Sequence, residues 1–142
     1  MQKLDSNKLG LLPDSKIPIR IAFIKSNGAP SVISLWFQQI DGKIYCATQK
    51  SSKIVSDLKN NSTCGFEIAT DKPPYKGIRG EGTAKITNNG NEILNILIDK
   101  YLGGKESTLS KYLKNNSNTE VAIEIIPQKV FNYDYSKRMR DV

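Results

Sequence analysis

Two tight-turn signals close together constrain this chain more than anything else in it. Asn27-Gly28 and Asp41-Gly42 each supply a residue pair that tolerates positive φ, the requirement of a two-residue β-hairpin. The stretch between them, Ser31 to Gln39 (SVISLWFQQ), alternates with period two. Ile33, Leu35 and Phe37 fall on one face; Val32, Ser34, Trp36 and Gln38 fall on the other. Ile19 to Lys25 (IRIAFIK) precedes the first turn, and Ile44 to Thr48 follows the second. Three strands joined by two tight turns make an antiparallel meander.

The rest of the chain extends that pattern. Ser62 to Ala69 reads as a fourth strand and Lys76 to Thr87 (KGIRGEGTAKIT) as a long fifth. In the fifth, Ile78, Gly80, Gly82, Ala84 and Ile86 share a face, and Arg79, Glu81, Thr83 and Lys85 share the other. Its glycines predict sharp curvature or close approach of another backbone. Arg79 and Glu81, two apart on one face, read as an ion pair. Asp71-Lys72-Pro73-Pro74-Tyr75 must be a loop, because neither proline donates to a ladder. Glu120 to Ile126 forms a sixth strand, ended by Pro127, and Val130 to Tyr135 adds a seventh. Helical spacing covers Ser52 to Asn60, Asn91 to Leu102 (Leu94, Leu97, Ile98 and Tyr101 on one side) and Ser107 to Lys114. Gly103-Gly104 stops the middle one. A weak helical turn is expected around Leu9 to Leu12. The fold class is therefore mainly β: six to seven short antiparallel strands in a small closed barrel with few helices.

With 142 residues, the chain is one domain with loose ends at 1–16 and 137–142. No apolar run approaches the roughly 20 residues of a membrane span, and the first residues lack the apolar core of a secretion signal. A cytoplasmic protein is expected. Cys46 and Cys64 fall inside strands and read as buried free thiols. There is no histidine, which removes Ser-His-Asp and Cys-His catalysis and leaves too few ligands for structural zinc. No metal is expected. The formal charge is +7, from 21 basic and 14 acidic side chains. Apart from Lys137, Arg138 and Arg140 the basic residues are scattered, without interleaved aromatics, so an anionic small molecule suits the charge better than nucleic acid.

One junction carries chemistry. In IYCATQKSSKIVSDL, residues 44–58, a strand runs into a helix N-terminus. Thr48, Lys50, Ser51, Ser52 and Lys53 sit between them. Unpartnered N–H groups, the positive end of the helix, three hydroxyls and two ammonium groups together suit a phosphate monoester. The same pattern also suits a plain helix cap with solvated lysines.

The order of the pieces resembles the FMN-binding split-barrel family that includes pyridoxamine 5′-phosphate oxidase. Residues 26–37 (SNGAPSVISLWF), 44–58 and 73–86 (PPYKGIRGEGTAKI) carry the likeness, with VFNYDYSK near the end, so that it spans about residues 19–136. The resemblance implies a six- to seven-stranded antiparallel split barrel, a flavoprotein holding FMN at a homodimer interface, and an oxidoreductase acting on a small molecule. It implies that Thr48, Ser52 and Lys53, helped by Lys50 and Ser51, hold the phosphate end, and that Ala47 is also among the cofactor-binding residues. Ser34, Leu35 and Trp36 would run beside the flavin ring, and Tyr75, Lys76 and Gly77 would reach a flavin, that of the partner subunit included.

The chain departs from the family pattern. A frequent Ser-Arg-Lys is here Ser52-Lys53-Ile54, so one cation is missing and Lys53 acts as a point charge. Val32 stands where a basic residue often opens the flavin-side strand. The arginine and histidine that would bind pyridoxal phosphate have no counterpart. The resemblance thus implies the fold and a flavin-type site rather than that one reaction. A deazaflavin cofactor, or a carrier or sensor without turnover, fits the same features. No catalytic residue is assigned; Tyr45, Tyr75 and the lysines are the candidate proton donors.

Overall fold

The computed structural model describes residues 16–104 and 106–140. The expected turn at Leu9 to Leu12 lies outside them. Seven strands form a single antiparallel sheet: β1 (Ile19–Ile24), β2 (Pro30–Leu35), β3 (Gln38–Ile40), β4 (Lys43–Gln49), β5 (Thr63–Ala69), β6 (Lys76–Thr87) and β7 (Glu120–Asp134). Three helices accompany them among the described residues: α1 (Lys53–Asn60), α2 (Gly90–Leu102) and α3 (Thr108–Asn115). None is long and apolar enough to cross a membrane.

The sheet order is β2-β1-β5-β6-β7-β4-β3. Its two outermost members, β2 and β3, are consecutive in the chain. The sheet must therefore curl until its edges nearly meet, and Trp36 and Phe37 bridge the gap. One continuous strand over Ser31 to Gln39 was expected. The structure instead breaks it after Leu35, so that β2 pairs with β1 and β3 with β4. A distant helix makes the break. Tyr101 of α2 accepts a hydrogen bond from the Phe37 N–H at 3.1 Å, and Lys100 donates to the Phe37 carbonyl at 2.8 Å. Both backbone groups of Phe37 are thereby satisfied outside the sheet, as buried backbone requires.

The C-terminal strand corrects the sequence reading in the opposite sense. Two strands were expected on either side of Pro127; β7 runs through it unbroken. The register against β6 shifts between Glu81 and Gly82, where Glu81 faces Lys129 and Gly82 faces Pro127. Gln128 is the extra residue of a β-bulge, and a proline is tolerated at such a point. Gly82 makes the bulge possible: a Cβ there would lie 2.2 Å from the Ile126 carbonyl oxygen. Close backbone approach, expected from the glycines of β6, is what the structure has. Glu81 pairs with Lys129 across the strands at 3.4 Å, not with Arg79; Arg79 lies over the Tyr133 ring, 5.9 Å from its centroid.

The inward faces of the strands fill the barrel with Ile19, Ile21, Ile44, Ile68, Ile78, Ile123 and Ile125, closed at one end by Ile54, Val55 and Leu58 of α1. Cys46 and Cys64 lie in this core as free thiols. Burial pushes the Cys46 thiol well up and the Cys64 thiol to about 11, which makes both poor nucleophiles. A second apolar cluster lies outside the barrel. There α2 lays Ile93, Leu97 and Tyr101 against Ala122, Ala47, Tyr45 and Trp36.

Candidate functional site

The gap in the barrel is also where the residues expected to meet a ligand collect. A cavity of about 460 Å³ is lined on one lip by Pro18, Ser34, Leu35 and Trp36, and on the other by Ala47, Thr48 and Gln49. Leu94 and Leu97 of α2, Leu109 and Leu113 of α3, and Glu120 complete the wall. Ser34, Leu35, Trp36, Ala47 and Thr48 were singled out from separate stretches, and the fold brings all five to one hollow. Trp36 is held flat against Tyr101, with ring centroids 4.9 Å apart and planes 7° apart. The indole is thus a fixed wall, pinned by α2, rather than a free side chain.

The phosphate-type residues lie next to this cavity, at the start of α1. Ser52 is the N-cap, in extended conformation, yet its side chain makes no cap hydrogen bond. Its hydroxyl donates backwards to the Gln49 carbonyl at 2.8 Å and lies 3.1 Å from the Thr48 hydroxyl. Since the Ser52 proton is committed, the Thr48 hydroxyl is the donor in that contact. The first turn of α1 contains no acidic residue. Helix-start N–H groups without a side-chain cap and without a competing carboxylate are open to an anion. Lys50, Ser51 and Lys53 stand exposed around this point. The Lys50 N–H donates to the Thr119 carbonyl at 2.8 Å, which ties the lead-in of α1 to the residues just before β7.

Tyr75, Lys76 and Gly77 lie elsewhere in the chain. Tyr75 lines a separate hollow of about 390 Å³ on the outer face of the sheet, with Arg20, Glu67, Arg79, Tyr133 and Tyr135. Lys76 is exposed, and Gly77 is buried where a Cβ would lie 2.4 Å from the Ile68 carbonyl oxygen. Tyr133 donates to Glu67 at 2.9 Å; burial, and then the Glu67 carboxylate, push its phenol up to about 12. Within one chain this group does not join the cavity.

The candidate proton donors are likewise not in the cavity. Tyr45 donates to Glu124 at 2.8 Å, and Lys43 pairs with the same oxygen at 3.2 Å. Burial, reinforced by Glu124, raises the Tyr45 phenol. The titratable group that does line the cavity is Glu120, which sequence reasoning took only as the first residue of a strand. Its Oε1 accepts from the Gln49 side-chain amide at 2.9 Å. Burial raises its carboxyl above the usual range, partly offset by that amide. An acid with a raised folded pKa binds its proton more tightly folded than unfolded. Its contribution is then most favourable below the unfolded pKa and turns against stability as pH rises through the folded one. Glu120→Gln is therefore expected to raise the melting temperature at neutral pH, with the gain shrinking toward pH 4 in parallel thermal melts. Among the described residues no group of three or more Cys, Asp or Glu is placed to hold a metal ion.

No protein-family model matches the sequence, and no curated protein matches it. Solved structures do. Conserved hypothetical protein Rv2991 from Mycobacterium tuberculosis superposes with a TM-score of 0.78 at 18% identity, over 96% of this chain and 88% of that one. An F420 reductase gives 0.71 at 15% identity, over 92% and 98% of the two chains. A candidate pyridoxamine 5′-phosphate oxidase from Listeria innocua gives 0.66 at 15% identity, over 89% and 96%. The fold is therefore that of the pyridoxamine 5′-phosphate oxidase-like split barrels. The family likeness drawn from residues 26–37, 44–58 and 73–86 is borne out at the level of fold.

Proposed function

We propose that the protein is a flavoprotein that binds FMN in the cavity at the barrel gap and works as an oxidoreductase on a small molecule. One observation carries this reading. The cavity that gathers Ser34, Leu35, Trp36, Ala47 and Thr48 opens beside a helix start whose N-cap hydroxyl is turned away from the helix. Leu35 and Trp36 offer a flat apolar wall for the ring. The N–H groups of α1, with Lys53 and Lys50, suit the phosphate. Bound flavin would supply the hydride and electron chemistry; the chain positions it and tunes its surroundings.

The same reading includes a homodimer. Tyr75, Arg79 and Tyr133 would complete the site from a partner copy, and Val32 and Phe131, 63% and 54% exposed, are the apolar residues such a contact would cover. A deazaflavin is the second reading, favoured by the likeness to an F420 reductase over nearly the whole of both chains. The net charge of +7 suits its more acidic tail.

The test is an absorbance spectrum of the purified protein followed by FMN titration. Flavin bands, or quenching of flavin fluorescence with micromolar affinity, are the expected result. A colourless protein that ignores FMN but binds a deazaflavin would move the assignment to the second reading; one that ignores both would leave a barrel without flavin chemistry.

A further inference from the structure

Gln49, the last residue of β4, lies in the cavity wall and bonds in two directions. Its main-chain carbonyl accepts from the Ser52 N–H at 3.0 Å and from the Ser52 hydroxyl at 2.8 Å, so the backbone serves the start of α1. Its side chain serves residues 116–120. The amide nitrogen donates to the Asn116 carbonyl at 3.2 Å and to Glu120 Oε1 at 2.9 Å, and the amide oxygen accepts from the Thr119 hydroxyl. Two acceptors on the nitrogen and a hydroxyl on the oxygen use the amide for what each end can do.

Asn116 is the C-cap residue of α3. That helix gives Leu109 and Leu113 to the cavity wall, yet little of it is packed away. Of its eight residues only Ser110 is buried, and Leu109 is 47% exposed. The polar groups of Ser110 stay within the helix: its hydroxyl accepts from the Ser107 N–H at 2.9 Å, and its N–H donates to the Ser107 hydroxyl at 3.0 Å. A helix this short does not stand on its own propensity, so its place depends on what ties its ends. The Lys50 N–H holds the Thr119 carbonyl and so fixes the chain just before β7. The tie to α3 itself is the Gln49 amide on Asn116.

We propose, resting on the flavin reading above, that Gln49 is a positioning residue of the flavin site: by donating to Asn116 it holds α3, and with it Leu109 and Leu113, in place as the apolar wall against the bound flavin. Gln49 acts through the helix, since its own amide is fully engaged with the chain. The coupling runs both ways. A flavin resting on Leu109 and Leu113 covers apolar surface that is open without it, so the bound ligand steadies α3 in turn.

The double variant Gln49→Glu/Glu120→Gln exchanges amide and carboxylate across the β4–β7 pair. Net charge, the cross-strand hydrogen bond and an acceptor for Thr119 are all kept, but a carboxylate has no proton for the Asn116 carbonyl. Gln49→Lys is the converse, because an ammonium group donates to both Asn116 and Glu120. Riboflavin is the probe; it is uncharged, so the added lysine does not attract it. Binding is followed by flavin fluorescence and backbone amide exchange by mass spectrometry, with thermal melts confirming that all three proteins are folded. In the double variant riboflavin affinity is expected to fall about threefold to tenfold, the scale of one hydrogen bond. Amides of α3 should exchange roughly tenfold faster, with those of β4 and β7 as in wild type. Gln49→Lys should stay near wild type in both, and riboflavin should slow α3 exchange in wild type, which a merely structural tie would not produce. Affinity unchanged in the double variant would overturn the positioning role, as would wild-type α3 exchange that ignores bound riboflavin. Either leaves the flavin reading standing. Wild type that binds neither riboflavin nor FMN would overturn both.

Discussion

Gly82→Ala is expected to cost about 3–5 kcal/mol, at the far end of what single substitutions do. The new methyl would meet the Ile126 carbonyl oxygen at 2.2 Å, with the Ile126 carbonyl carbon and the Pro127 Cα at 3.0 Å. All three are backbone atoms of the β7 bulge, so no side chain can swing aside. Either the bulge moves or β6 and β7 part at their longest pairing. Against a typical total of about 5–15 kcal/mol, that loss would lower the melting temperature by roughly 10 °C or more for a chain of this size. Gly65→Ala is the control. A Cβ there meets its nearest atoms at 3.5 and 3.7 Å, ordinary contact distances, so its melt should stay close to wild type. Equal melts for the two variants would mean that the bulge yields freely.

The second large effect is on binding. Lys53→Ala is expected to weaken FMN by about tenfold, and Lys50→Ala/Lys53→Ala by more, while riboflavin, which has no phosphate, binds both variants as it binds wild type. The contrast between the two ligands carries the claim. Both lysines are exposed, so removing them leaves the packing alone. The wild-type affinity should also fall with added salt, and the variants' less steeply. Parallel losses for FMN and riboflavin would place the phosphate somewhere other than the start of α1.

The parts of this protein that were legible in the sequence are those whose causes are local. The turns at Asn27-Gly28 and Asp41-Gly42, the apolar face of α2 and the strand–helix junction at Ser52 are each specified by residues within one element. Three features were not legible, and each has a cause far along the chain. Period two runs straight through Leu35, Trp36 and Phe37, and nothing near them reports that Lys100 and Tyr101 will take up the Phe37 backbone. Pro127 reads as a strand end because its partner across the ladder, Gly82, is 45 positions earlier. Glu120 looks like a solvated strand start; only the pairing of β4 with β7 puts it beside Gln49 in the cavity wall. The hydroxyls and lysines of the candidate site could be read from residue types. Its single carboxylate could not, since an acid at a strand end is ordinary.

The joining of β2 to β3 has a bearing on how the molecule comes apart. In an open sheet an edge strand can peel away while the rest stays folded. Here the two edges are one length of chain, clasped at Phe37 by α2. Pulling β2 from β1 tugs on that clasp and, through it, on β3, so neither edge opens as a unit by itself. The least strongly held lips of the barrel therefore share the stability of the helix behind them. A site built between those lips keeps its shape without being buried in the core.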